Sequence, residues 1–314
     1  MALFSPLPPV PSGITAYSLA LLPWLAEHFH IDVVADPDRT PLPEGAEAVI
    51  TPAMFERRRQ DYQHMLYQVG NSVLHLEHLQ QLNRDSGTIV LHDFYLSHGI
   101  CHPDADVVLG GDVMQRLYRS HGFQAAYLHH CDRLEHGDRA IWRYPCNLQP
   151  LQAAAGVIVH SQEAINLAQA CYGATAASDW AVVPHLKTPC LPTPQQRHAA
   201  RTALGLESDA FVVCSFGFLG VAKLSDRLLE GFLQSALARD PRVVLVFAGS
   251  AAGNSPLRRQ LGRALRDARR QGGLRASVRF TGWITPAVYQ QYLAAADAAV
   301  QLRSASRGET SGTV

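Results

Sequence analysis

Short apolar runs recur along this chain. Each ends in small or polar residues and is followed by a stretch whose apolar positions fall at helical spacing. Ala2-Leu3-Phe4 is the first run; a proline-rich loop follows, then Ser12-Gly13-Ile14-Thr15-Ala16-Tyr17. Leu21, Leu22, Leu25 and Phe29 continue from Tyr17 at a spacing that predicts a helix. Residues 31–35 predict a second strand, which completes a strand–helix–strand unit. More strands are predicted at 48–50, 67–69, 88–91, 156–159 and 180–183, with helices such as 74–82 and 161–171 between them. Alternation of this kind predicts an α/β fold with a mainly parallel, doubly wound sheet.

The pattern breaks where Pro184, Pro189, Pro192 and Pro194 cluster, and it restarts afterwards. Strands are predicted at 210–216, 243–248, 278–280 and 298–302, and helices at 226–237, 257–268 and 286–296. This divides the chain into a first domain over 1–186, a linker over 187–206 and a second domain over 207–314. Two doubly wound domains in tandem predict a ligand in a cleft, met by residues just beyond the carboxyl ends of strands.

Composition narrows the function. The 314 residues are 47% hydrophobic and 17% charged, enough apolar material for two domain cores. Lys+Arg and Asp+Glu number 27 each, which argues against a general nucleic-acid binder. The six cysteines are scattered without a Cys-x-x-Cys, so they read as buried thiols of a reducing cytoplasm. No apolar run reaches the ~20 residues of a membrane span, and Pro6, Pro8, Pro9 and Pro11 interrupt any leader-like start. Peripheral contact with a membrane stays open.

Candidate chemistry sits at the strand ends. Gly13 and Ile14 open a helix that can receive negative charge, or Gly13 completes a turn after the prolines. Gly70-Asn71-Ser72 precedes His75: either Asn71 and Ser72 cap the helix, or Asn71 and His75 face an acceptor or sugar hydroxyl. His92 beside Asp93 suits a donor, a base or a sugar-positioning group, or a structural pair. His129-His130-Cys131-Asp132 looks metal-like, but adjacent histidines rarely point at one ion. His160-Ser161 reads as a strand end followed by a helix cap. In the second domain, Gly217 followed by Gly220 and Lys223 suits a diphosphate, without the Gly-Lys-Ser/Thr of a Walker loop. Arg307-Gly308-Glu309-Thr310-Ser311-Gly312 would form the second wall of that phosphate pocket. The chain ends one residue into a new apolar segment at Val314, and it is read as a fragment cut inside this unit.

The series Phe4-Ser5-Pro6-Leu7-Pro8-Pro9, Gly13-Ile14, Tyr17, Gly70-Asn71-Ser72, His75, Leu91-His92-Asp93, Val157-Ile158-Val159-His160-Ser161, Val183-Pro184-His185, Phe216-Gly217, Lys223 and Arg307 to Gly312 resembles family 4 glycosyltransferases of the GT-B fold. That resemblance implies two Rossmann-type domains facing a cleft, the second incomplete here. It implies retaining transfer of a sugar from a nucleotide sugar to a glycan or lipid-linked hydroxyl, with no cofactor and no bound metal. GDP-mannose is the donor guess and UDP-sugars follow. The implied setting is surface-polysaccharide assembly in the cytoplasm, with contact at the inner membrane face left open.

By the same resemblance, Gly13 and its loop face the donor phosphate and sugar. His92 contacts the sugar near the reacting carbon, and Lys223 neutralises the leaving diphosphate. Glu309 to Gly312 meet sugar and phosphate, with Glu309 counted among the catalytic groups. The chain departs from the family at Phe218, where many relatives carry an Arg; Arg303 or Arg307 would be the substitute clamp. Other readings are a catalytically silent nucleotide-sugar-binding subunit and a sugar-nucleotide epimerase.

Overall fold

The computed structural model describes residues 1–186, 191–250, 256–304 and 306–308. They divide into two compact units, one holding residues 1–186 with Arg307 and Gly308, the other holding the rest. The first unit runs β1 (Ala2–Phe4), α1 (Gly13–Ala26), β2 (Asp32–Val34), β3 (Ala48–Ile50), α2 (Pro52–Arg57), β4 (Met65–Val69), α3 (Leu76–Arg84) and β5 (Thr88–Leu91). A helical insertion follows: α4 (Ser97–Ile100), α5 (Asp104–Val108), α6 (Val113–His121), α7 (Phe123–Glu135), α8 (Arg139–Arg143) and α9 (Leu148–Ala153). The unit closes with β6 (Gly156–Val159), α10 (Gln162–Tyr172) and β7 (Ala181–Val182). The second unit contains α11 (Pro194–Ala203), β8 (Phe211–Phe216), α12 (Ser225–Gln234), β9 (Val243–Ala248), α13 (Pro256–Arg270), β10 (Ser277–Phe280), α14 (Pro286–Ala295) and β11 (Ala298–Ala299).

Both sheets are wholly parallel among the described residues. The first has the order β3-β2-β1-β4-β5-β6-β7, the second β10-β9-β8-β11. Each therefore reverses direction beside its first strand, between β1 and β4 in one unit and between β8 and β11 in the other. Such reversals open a crevice beyond the carboxyl ends of the strands.

Strand periodicity builds a core on both faces of each sheet. In β1, Ala2 and Phe4 join the cluster of Tyr67, Ile89 and Leu91, while Leu3 joins Leu22, Ile31 and Val33 on the other side. In β9, Val243, Leu245 and Phe247 face α12 and α13, and Val244, Val246 and Ala248 face Tyr292 and Ala295 of α14. Helices α2, α11 and α14 begin alike: Thr51, Thr193 and Thr285 accept from a backbone N–H three residues on, and proline occupies the first helical position.

Two features differ from the sequence expectation. Helix α11 occupies part of the stretch read as linker, because Thr193 and Gln196 form a reciprocal capping box around Pro194. Strand β11 stops at Ala299 instead of reaching Leu302. The Val300 N–H still donates to the Cys214 carbonyl at 2.9 Å, but beyond it the Gln301 side chain donates to Phe216 O at 3.1 Å and replaces the main-chain ladder. Among the described residues no helix is long and apolar enough to cross a membrane.

Candidate functional site

In the first unit the crevice between β1 and β4 is bordered by the start of α1. Ser12 caps this helix, its hydroxyl accepting from the Ile14 N–H at 3.2 Å. A side chain at Gly13 would meet no atom within 4 Å, so the space over the helix start is open. The glycine is demanded there neither by packing nor by a positive φ. Ile14 packs onto Gly70: a Cβ at 70 would lie 2.5 Å from Ile14 Cδ1, 3.1 Å from Asp93 Oδ2 and 3.2 Å from His75 Nε2. The fold thus gathers Ile14, Gly70, His75 and Asp93 at one point.

The polar groups there are engaged with the protein. Asp93 Oδ2 accepts from the Asn71 N–H at 2.8 Å, and Asn71 Oδ1 accepts from the N–H groups of His98 and Gly99 at 2.8 and 3.3 Å. Asn71 therefore holds the start of α4, not the helix after it. Ser72 makes no side-chain capping bond, and neither does Ser161. His75 is 1% exposed and donates through Nδ1 to the Gln68 carbonyl at 3.0 Å. Burial pushes its pKa down to about 3, so it is neutral at physiological pH and supports the loop from within.

His92 follows β5. Its N–H donates to Val69 O at 2.9 Å, and its Nε2 lies 2.7 Å from Oε1 of Gln68. Around it stand Tyr17 and His160, with ring centroids 4.9 and 4.8 Å away, and His185 at 6.2 Å. Burial foremost, then the charge each neighbouring histidine would carry, holds the His92 imidazole neutral, far below its ordinary pKa. His160 donates through Nδ1 to Val183 O at 2.9 Å, tying β6 to the end of β7. Reasoning from the strands alone missed Gln68, although a polar residue inside the otherwise apolar Met65–Val69 is its signal.

Arg307 and Gly308, expected to line a phosphate pocket in the second domain, belong to the first unit. The Arg307 guanidinium lies over Trp142 at 4.4 Å and Tyr95 at 5.3 Å, and Arg307 O accepts from the Tyr95 N–H. A flat guanidinium favours such aromatic faces. Gly308, at φ 76°, runs so close to Phe94 that a Cβ would overlap it. Glu309, Thr310, Ser311 and Gly312 lie outside the described residues. His129 to Asp132 lie along α7, where Asp132 accepts from Arg139 Nε and the Ala140 N–H at 2.7 Å each. Among the described residues no group of three or more His, Cys, Asp or Glu could hold a metal ion.

In the second unit Gly217 ends β8 at φ 99°, and its N–H donates to Ala248 O at 3.0 Å. Residues Val221–Lys223 make a 3-10 turn, and the Ser304 N–H closes it by donating to Ala222 O at 3.0 Å. Helix α12 then starts from Leu224 at φ 48°, with no side-chain capping bond. Its first N–H groups stand at the crevice between β8 and β11, an arrangement suited to an anion.

No family model matches the chain, and no curated protein matches it. Solved structures do. HepE of Anabaena, in complex with UDP-glucose, is 18% identical with TM-score 0.55, over 97% of this chain and 74% of that one. WaaG, a glycosyltransferase involved in lipopolysaccharide biosynthesis, is 14% identical with TM-score 0.54, over 97% and 75%. Sucrose-phosphate synthase of Thermosynechococcus elongatus is 16% identical with TM-score 0.57, over 98% and 76%. The chain has the GT-B fold. At these identities the likeness is one of fold, and it agrees with two parallel sheets that each reverse beside their first strand.

Proposed function

We propose that this GT-B chain is a glycosyltransferase that moves a sugar from a nucleotide sugar to an acceptor hydroxyl. The start of α12 carries the reading: an uncapped ten-residue helix preceded by Gly217, Gly220 and Lys223 at a sheet reversal. Helix N–H groups and an ammonium are what a departing diphosphate requires. In this reading Gly217 and Lys223 receive the diphosphate, while Gly13, Ile14 and His92 receive the sugar. Arg307, Gly308, Glu309, Thr310, Ser311 and Gly312 are assigned to the donor by resemblance, with Glu309 meeting the sugar. Asn71, His75 and Asp93 shape the loop beside it.

Transfer is proposed to retain anomeric configuration and to need no bound metal, since the charge of the leaving group is met by Lys223 and backbone donors. HepE carries UDP-glucose on the same fold, which makes a UDP-hexose the first donor to test and GDP-mannose the second. The acceptor is proposed to be a glycan or lipid-linked hydroxyl in surface-polysaccharide assembly, met in the cytoplasm with peripheral contact at the inner membrane face.

A thermal-shift titration with UDP-glucose, GDP-mannose and ADP-glucose tests this. One donor should raise the Tm by mass action. Lys223→Ala should weaken that donor at least about tenfold, roughly 1.4 kcal/mol. His92→Ala should keep nucleotide affinity and lose transfer. If no nucleotide sugar at millimolar concentration shifts the Tm, the proposal fails; binding without transfer to any acceptor would leave a silent binding subunit.

A further inference from the structure

We propose that Gln68 is a positioning residue for His92, its side-chain oxygen deciding which imidazole nitrogen keeps the proton. The inference rests on the reading of His92 as the group that meets the sugar. Gln68 lies in β4, is fully buried, and has only apolar or aromatic neighbours along the strand: Met65, Leu66, Tyr67 and Val69. Its Oε1 is 2.7 Å from His92 Nε2. An amide oxygen can only accept, so the ring donates there through Nε2–H. The lone pair is then left on Nδ1, and a neutral His92 accepts a hydroxyl's hydrogen bond or a proton through Nδ1 alone. The main chain of Gln68 is fixed too, because its carbonyl accepts from His75 Nδ1 at 3.0 Å.

A second observation separates this role from packing. Gln68 Nε2 is buried and has no hydrogen-bond partner among the described residues. A buried amide left in that state destabilises the fold, whereas an apolar residue of similar volume carries no such penalty. Stability would be served better by Met or Leu at this position. The amide gives His92 a defined tautomer, which neither Met nor Leu can do. The groups that face the ring are Tyr17, His160 and His185, with His75 behind it.

The test uses the whole chain labelled with 15N-histidine, with the His92 signals assigned by their loss in His92→Asn. Wild type should show the Nε2–H tautomer. Gln68→Met should fold with equal or higher Tm and lose that tautomer preference. Gln68→Glu should keep Nε2–H and raise the His92 pKa by a unit or more, moving the acid limb of any transfer rate by the same amount. With a donor found, Gln68→Met should lower kcat at least tenfold and leave the donor KM within twofold. Unchanged His92 nitrogen shifts in both variants would overturn the proposal and make Gln68 a core residue. A tautomer change in a chain that transfers no sugar would instead uphold the positioning and remove the proposed function.

Discussion

A Cβ at position 249 would overlap the carbonyl oxygen of Gly217. The two glycines end neighbouring strands, β8 and β9, and the Gly217 N–H donates to the Ala248 carbonyl at 3.0 Å just beside them. The two segments leave the sheet in this close approach because Gly249 carries no side chain. Gly249→Ala must move backbone, not a flexible side-chain end. We expect it to destabilise the second unit by more than about 2 kcal/mol and to weaken nucleotide binding through Gly217. A urea midpoint equal to wild type would contradict the close approach.

Asp297 is the junction of the second unit. It accepts from the Val212 N–H at 2.8 Å, Arg197 Nη1 at 2.9 Å and Arg201 Nη2 at 2.7 Å. Arg201 is 6% exposed and also donates to the carbonyls of Ala295 and Ser208. Removing the carboxylate leaves a buried cation without its counter-charge, so Asp297→Ala should cost about 3 kcal/mol. Asp297→Asn, which keeps the volume, should cost less. Denaturant unfolding measures both; a loss under about 1 kcal/mol for the alanine variant would show that the pair is dispensable.

Acid should loosen the first unit. Burial pushes His75 down to about 3 and, with a smaller opposing contribution from a hydrogen bond to Gln68, His78 down to about 4. Unfolded, both take up protons near pH 6.5. Stability is therefore complete above about pH 6.5 and declines as pH falls towards 4, by about 1.4 kcal/mol per pH unit for each histidine. Urea midpoints measured from pH 7.5 to 4.5 should fall accordingly, and His75→Gln should flatten the slope. A midpoint unchanged between pH 7 and pH 5 would refute the buried neutral state.

Two glycines of the first unit make opposite predictions. Gly13→Ala adds a methyl group to open space, so the Tm should stay within a degree or two while donor affinity falls severalfold. Gly70→Ala forces Ile14 aside and presses on Asp93 and His75, so both Tm and affinity should fall. Calorimetric titration beside thermal melts separates them. Loss of stability in Gly13→Ala would mean that the helix start is packed after all.

Strand-and-helix order was legible because buried parallel strands such as Val243–Ala248 are continuous apolar runs that end at glycine. Thr285-Pro286 could be read as a helix start because apolar periodicity follows it. Thr193-Pro194 uses the same device, but it stands among other prolines and precedes a polar, arginine-bearing helix, so it read as linker. His92 and Asp93 were visible as strand-end residues. The use made of Asn71 was not, since its partners, the N–H groups of His98 and Gly99, lie more than twenty-five residues away. The contacts of Arg307 were not legible for a related reason: its aromatic neighbours Trp142 and Tyr95 lie more than one hundred and fifty residues earlier in the chain.

In both sheets the earliest strand finishes with a neighbour on either hand. On the ribosome, Ala2–Phe4 must wait until Met65–Val69 has been synthesised before its second edge is covered. Phe211–Phe216 waits in the same way for Ala298–Ala299. The first half exposes an apolar edge until β4 is made, and the second does so for most of its translation. Clipping off the first four residues would split the sheet into two parts, β3-β2 and β4 to β7, joined only by side-chain packing.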